Sequence, residues 1–184
     1  MKRMRAGLIA IMVAAMAGTG CEQIDNAPMS ADMSVQASTD TDDRLKWGLA
    51  KAQFAQQGAY VSQMIGREGG WLNIGNHYLQ IMPGAVDGPT RFVMQQRAGD
   101  NFILDLHAYR PNGRPVLAFP ARSVYLYMTY EAAVAVEGMR YGIGYLPAEH
   151  AEGGIVPLVV FHYPQYFAVG TNLTHFSTYA LIVD

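Results

Sequence analysis

The 184-residue chain is 51% hydrophobic, sets 13 basic against 15 acidic side chains for a net charge of −2, and holds one cysteine. That balance offers no basic field for nucleic acid, and one cysteine excludes an intrachain disulfide or a cysteine metal site. No apolar stretch approaches the roughly 20 residues a membrane-spanning helix needs, so the mature chain is expected to be soluble unless something anchors it.

Residues 1–20 have the three-part pattern of a secretory signal peptide. Lys2, Arg3 and Arg5 form a basic start, Leu8 to Ala17 an uncharged run, and Gly18-Thr19-Gly20 a small, turn-prone end. The sole cysteine, Cys21, follows at once. This arrangement resembles the lipobox of bacterial lipoproteins. The resemblance implies cleavage before Cys21, acylation of its sulfur and amine, and the lipid bilayer as a partner. Each buried CH₂ adds about 0.8 kcal/mol, so several acyl chains hold a protein stably. Glu22 rather than Asp comes next. By resemblance to the enterobacterial sorting rule, that points to the outer membrane of a Gram-negative bacterium; without the lipid the domain would be periplasmic or secreted.

Residues 21–43 form the next unit. Glu22, Asp25, Asp32, Asp40, Asp42 and Asp43 are unopposed by any Lys or Arg, and no apolar period is present. Low hydrophobicity with one-sided charge cannot offset the entropy of ordering, so a disordered acidic tether is expected.

A short helix is expected over the segment 44–59. Residues 43–57 read DRLKWGLAKAQFAQQ, with Leu45 and Leu49, and Trp47, Lys51 and Phe54, at helical spacings. Thr41, Asp42 or Asp43 suits the start and Gly58 the end, while Gly48 weakens the helix by ~1 kcal/mol.

From Tyr60 the period changes to two. Strands are expected near 60–65, 71–75, 77–82, 90–97, 102–109, 122–130, 140–146, 155–161, 165–170 and 172–183, separated by Gly, Pro, Asn and Asp turns. Val124, Leu126 and Met128 alternate with Tyr125, Tyr127 and Thr129; Phe102, Leu104, Leu106 and Ala108 alternate with Ile103, Asp105, His107 and Tyr109. Each such strand buries one face and wets the other. The fold class is therefore all-β: a single antiparallel β-sandwich over residues 60–184.

Three ordered stretches sharpen that expectation. They are Glu68-Gly69-Gly70 with Ile81-Met82-Pro83-Gly84-Ala85-Val86, then Phe119-Pro120 before the strand ending Met128-Thr129-Tyr130, then His175-Phe176-Ser177-Thr178-Tyr179-Ala180-Leu181. Together they resemble the ZU-five β-sandwich of ankyrins, netrin receptors and tight-junction scaffolds, with relatives in bacterial surface proteins. The resemblance implies a binding or scaffolding module. Some members of that family cut themselves between the Phe and Ser of the tripeptide: the hydroxyl attacks the preceding carbonyl, an ester forms, and water opens it. Carried over, this would make Ser177 the nucleophile, His175 its proton acceptor and the Phe176–Ser177 bond the target. The same residues, followed by Tyr179 and an aliphatic run, also make an ordinary terminal strand, which is the expectation here.

Other chemistry is sparse. His77, His107, His150, His162 and His175 show no metal-ligand spacing. His150 with Glu152 lacks a third ligand. Asp105 with His107 lacks a serine on a nucleophile elbow. No metal, cofactor or catalytic centre is expected. Tyr109, Tyr125 and Tyr127 lie on wet faces, as a platform for an unknown glycan or protein partner or, more commonly, as cross-strand pairs that stabilise a sheet.

Overall fold

The computed structural model describes residues 47–135, 138–147 and 154–184. The expected signal peptide, Cys21, the expected acidic tether, His150 and Glu152 lie outside the described residues. Among the described residues, fourteen strands, β1 to β14, run in chain order. They are β1 (Gly48–Leu49), β2 (Lys51–Gln56), β3 (Ala59–Ile65), β4 (Gly70–Ile74), β5 (His77–Ile81), β6 (Thr90–Gln96) and β7 (Gly99–Asn101). Then come β8 (Ile103–Tyr109), β9 (Val124–Thr129), β10 (Tyr141–Leu146), β11 (Val156–Pro157), β12 (Phe161–Tyr163), β13 (Ala168–Asn172) and β14 (Thr178–Val183).

The fold is all-β, with antiparallel sheets packed as a sandwich. A seven-stranded sheet has the order β11-β10-β14-β8-β6-β3, with β1 also on β14, and a five-stranded sheet has the order β12-β13-β9-β5-β4. A ribbon of β2 and β7 stands beside them. Alternation does the work. Val124, Leu126 and Met128 of β9 are buried, as are Leu104, Leu106 and Ala108 of β8, and their inward faces meet in one core. Intervening residues on each strand stay partly or fully wet.

Gly69 closes one end of the sandwich. Its φ of +74° suits glycine, and a Cβ there would lie 2.4 Å from the Ile81 carbonyl oxygen. The Gly84 N–H donates to the Arg67 carbonyl at 2.8 Å. The Gly-Gly and Pro-Gly-Ala stretches thus brace each other.

The helix expected over 44–59 does not form where the chain is described. Residues 48–49 and 51–56 are strands instead. The cause lies far away in sequence. β8 pairs with β14 only at Thr178–Ala180, so the backbone of Ile182 and Val183 needs partners on that side. Gly48 and Leu49 supply them, and the Ala50 N–H adds a bond to Leu181 O at 3.0 Å. A ladder of this kind outweighs a helix already weakened by glycine.

The strand expected at 172–183 begins only at Thr178, because the first part of that stretch is a crossover between sheets. β13 ends at Asn172 in the five-stranded sheet, and β14 begins at Thr178 in the seven-stranded one. Residues 173–177 cross between them. The stretch 155–161 divides likewise into β11 and the start of β12. At 165–170 a 3-10 turn (Pro164–Tyr166) ends in Phe167 at φ 47°, before β13 begins.

Candidate functional site

Three rungs of side chains cover the outer face of the five-stranded sheet. Directly opposed residues of antiparallel strands share a face. One rung runs Asn73, Tyr78, Tyr127, Gly170, Phe161 across β4, β5, β9, β13 and β12. The second is Trp71, Gln80, Tyr125, Asn172. The third is Thr129, Ala168, Tyr163. None of these positions is Asp, Glu, Lys or Arg, and none is Val, Leu, Ile or Met.

The centre of this face is built around the missing side chain of Gly170. A Cβ there would lie 2.8 Å from Tyr127 Cδ1 and 3.2 Å from Tyr163 Cε2, so both rings close over the glycine backbone. The Tyr127 hydroxyl donates to Gln80 Oε1 at 3.2 Å. Its ring stacks at 6.4 Å on Tyr125 and tilts at 5.8 Å toward Tyr163. Burial, with Tyr163 and Tyr125 alongside, pushes the Tyr127 hydroxyl up to about 12, so it stays protonated and able to donate. Toward the free edge, Trp71 and Tyr78 remain 54% and 40% exposed. Asn172 is committed to structure: it accepts from the Arg122 N–H and donates to Val124 O.

Tyr125 and Tyr127 are thus brought together, but Tyr109 is not with them. It lies on β8, on the outer face of the other sheet, where the Arg91 guanidinium sits 5.3 Å from its ring centroid and His107 stacks at 6.1 Å. The three tyrosines do not form one ligand face. Trp71, Tyr78, Phe161 and Tyr163 complete the aromatic set; for Trp71 and Tyr78 the sequence signal was their parity within the expected strands.

His175, Phe176 and Ser177 occupy the crossover, not a strand. The Phe176 ring packs on Phe119 and Phe92, with centroids 4.6 and 5.8 Å away. The His175 ring stands edge-on to Tyr145 at 5.2 Å, and its carbonyl accepts from the Tyr179 hydroxyl at 2.7 Å. The Ser177 carbonyl accepts from the Leu106 N–H at 2.9 Å. Among the described residues, no hydrogen bond joins the His175 ring to the Ser177 hydroxyl, and neither Phe176 nor Ser177 has a positive φ. The ordinary terminal strand expected for these residues starts only after them, at Thr178.

Asp105 is also engaged elsewhere. Arg97 grips it through Nε at 2.7 Å and Nη2 at 2.8 Å, and the Thr178 hydroxyl donates to it at 2.6 Å. Partial burial opposes ionisation, but these donors outweigh it and hold the carboxyl below the usual range. His107 stays exposed beside Tyr109. No group of three His, Cys, Asp or Glu fit for a metal occurs among the described residues. An open concavity of about 500 Å³ lies between the turns at Gly66–Glu68 and Asp87–Pro89. Its Arg67 donates to the Asp87 carbonyl at 2.7 Å and so pins one turn to the other.

Comparison with known proteins finds no matching family model, no similar curated protein and no similar solved structure.

Proposed function

We propose that this chain is a cell-envelope lipoprotein, anchored through an acylated Cys21, whose ZU-five-like sandwich serves as a non-catalytic binding or scaffolding module. The observation that carries the binding half is the uncharged aromatic face of the five-stranded sheet. Large rings left in contact with water on a sheet face supply contact area at low entropic cost. The anchoring half rests on the basic, apolar and small segments that lead to the sole cysteine. Gly69 supports the family resemblance, because the motif glycine stands where a side chain would strike backbone.

The test has two arms. Fractionation of cells making the wild-type chain should place it with membranes, and Cys21→Ser should release it into the soluble periplasmic fraction. Continued pelleting of the variant, or a mature N-terminus without acyl mass, overturns the anchor. Cross-linking in the membrane fraction, with and without Trp71→Ala, tests the binding half. A partner recovered equally well by both chains places binding elsewhere on the domain.

A further inference from the structure

The outer face of the five-stranded sheet has a composition that narrows the ligand. We infer that it binds a neutral, hydroxyl-rich polysaccharide, with Trp71 and Tyr78 stacking on sugar rings and Gln80 and Asn73 hydrogen-bonding to sugar hydroxyls. The inference rests on the reading of this domain as a binding module and names its ligand class.

Charge is the first argument. With no ionised side chain on its rungs, the face gives a phosphate or carboxylate polymer nothing to pair with. The outer face of the other sheet differs, carrying Arg91, Arg97, Asp105 and His107. An uncharged face complements an uncharged polymer.

Side-chain chemistry is the second. A pyranose ring presents C–H bonds on its faces and hydroxyls around its rim. The electron-rich face of an aromatic ring attracts the weakly positive C–H hydrogens and sheds water in doing so. Amides donate to and accept from hydroxyls. Trp71 lies directly across from Gln80, and Asn73 directly across from Tyr78, so each exposed ring has an amide as its cross-strand neighbour. The Gln80 oxygen already takes the Tyr127 hydroxyl, and among the described residues its NH₂ is unengaged. A second copy of this chain, or another protein, would also use Tyr and Trp, but with Met and Arg among them at the centre of the interface. The rungs hold neither.

Shape and rigidity are the third. The face is open and crosses five strands from Trp71 on β4 to Phe161 on β12, which suits an internal stretch of a chain rather than an enclosed small molecule. Tyr127 is fixed beforehand by Gly170 beneath it and Gln80 beside it, so binding freezes few additional rotamers.

The experiment is affinity electrophoresis of the purified full chain carrying Cys21→Ser, in gels holding a soluble neutral glucan or xylan, with polygalacturonate as the charged control. Retardation by a neutral polymer is expected, unchanged by added salt. Trp71→Ala and Tyr78→Ala should each weaken it roughly tenfold or more, while Trp71→Phe keeps most of it. Tryptophan emission gives a second reading: with Trp47 as the other tryptophan, a ligand-induced shift should vanish in Trp71→Ala. Unchanged melting temperatures show that the variants fold. No neutral polymer retarding the chain, or equal retardation of wild type and Trp71→Ala, overturns the inference. A concentration-dependent dimer lost in Trp71→Ala assigns the face to a second copy and overturns it too. If no glycan binds but the membrane cross-link still depends on Trp71, the binding module stands and only the ligand class fails.

Discussion

The imidazole of His77 accepts, through Nδ1, a hydrogen bond from the backbone N–H of Thr129 at 3.1 Å. β5 and β9 pair from Ile81↔Val124 to Tyr78↔Tyr127, and beyond that the β4–β5 turn carries the partner strand away. The side chain therefore takes the place of a missing carbonyl and extends the ladder. His77 is 4% exposed and edge-on to Phe102. Burial lowers its pKa from 6.5 to about 4, so it is neutral at pH 7 with its proton on Nε2.

Acid should act on this contact first. Above pH 6.5 the imidazole is neutral in both folded and unfolded chains and adds no slope. Between pH 6.5 and about 4 the unfolded chain takes up a proton that the folded one refuses, so stability falls with falling pH. The loss is on the order of 3 kcal/mol across that window and ends once both states are protonated. Urea unfolding at pH 7, 5.5 and 4.5 should show it in wild type. His77→Gln keeps an acceptor without titrating and should lose this component. Parallel decline of the two proteins would mean the imidazole is not held neutral.

Gly170→Ala should disturb the aromatic face without touching an aromatic residue. The added methyl carbon meets the Tyr127 ring at 2.8 Å, so the ring swings off its glycine seat. A loss of about 1–3 kcal/mol is expected, with changed near-UV dichroism from the tyrosines. In a Tyr127→Ala background the same substitution should cost markedly less. Additive costs would show that ring and glycine are not in contact.

Asp105→Ala should be mild. It removes the fork from Arg97 and the bond from Thr178, but Arg97 is half exposed, and such pairs contribute about 1 kcal/mol or less. Raising salt should shrink the wild-type advantage. A loss several times larger would mean that Asp105 organises more than this cluster.

The crossover should behave as packing rather than as a reactive site. Phe176→Ala is expected to cost about 2–3 kcal/mol through lost contacts with Phe119 and Phe92, and Ser177→Ala within about 0.5 kcal/mol. Denaturing mass spectrometry should find one intact chain. Denaturation is essential, because a cut after Phe176 would leave β14 gripped by β10, β8 and β1. A fragment ending at Phe176, lost in Ser177→Ala, would reverse this assignment.

Alternation made the strand faces legible, and β8 and β9 bury the residues it marked. It carries no information about which sheet a strand joins. Two uninterrupted β-like runs, at 155–161 and 172–183, therefore concealed crossovers between layers, and Tyr109 could not be separated from Tyr125 and Tyr127. The segment 44–59 had genuine helical spacing; what decided it was the unpaired end of β14, more than 120 positions along the chain. The aromatic face was hidden for a related reason. Trp71, Tyr78, Tyr127 and Phe161 become neighbours only through register, which no local window contains.

β14 lies between β10 on one side and β8 with β1 on the other, yet it follows all of them in sequence. A polypeptide made amino end first would possess two disconnected fragments of that layer, β11-β10 and β8-β6-β3, until positions 178–183 emerged. Cooperative closure then waits on the keystone strand. Until it joins, the layer presents bare strand edges that a holding chaperone would need to shield.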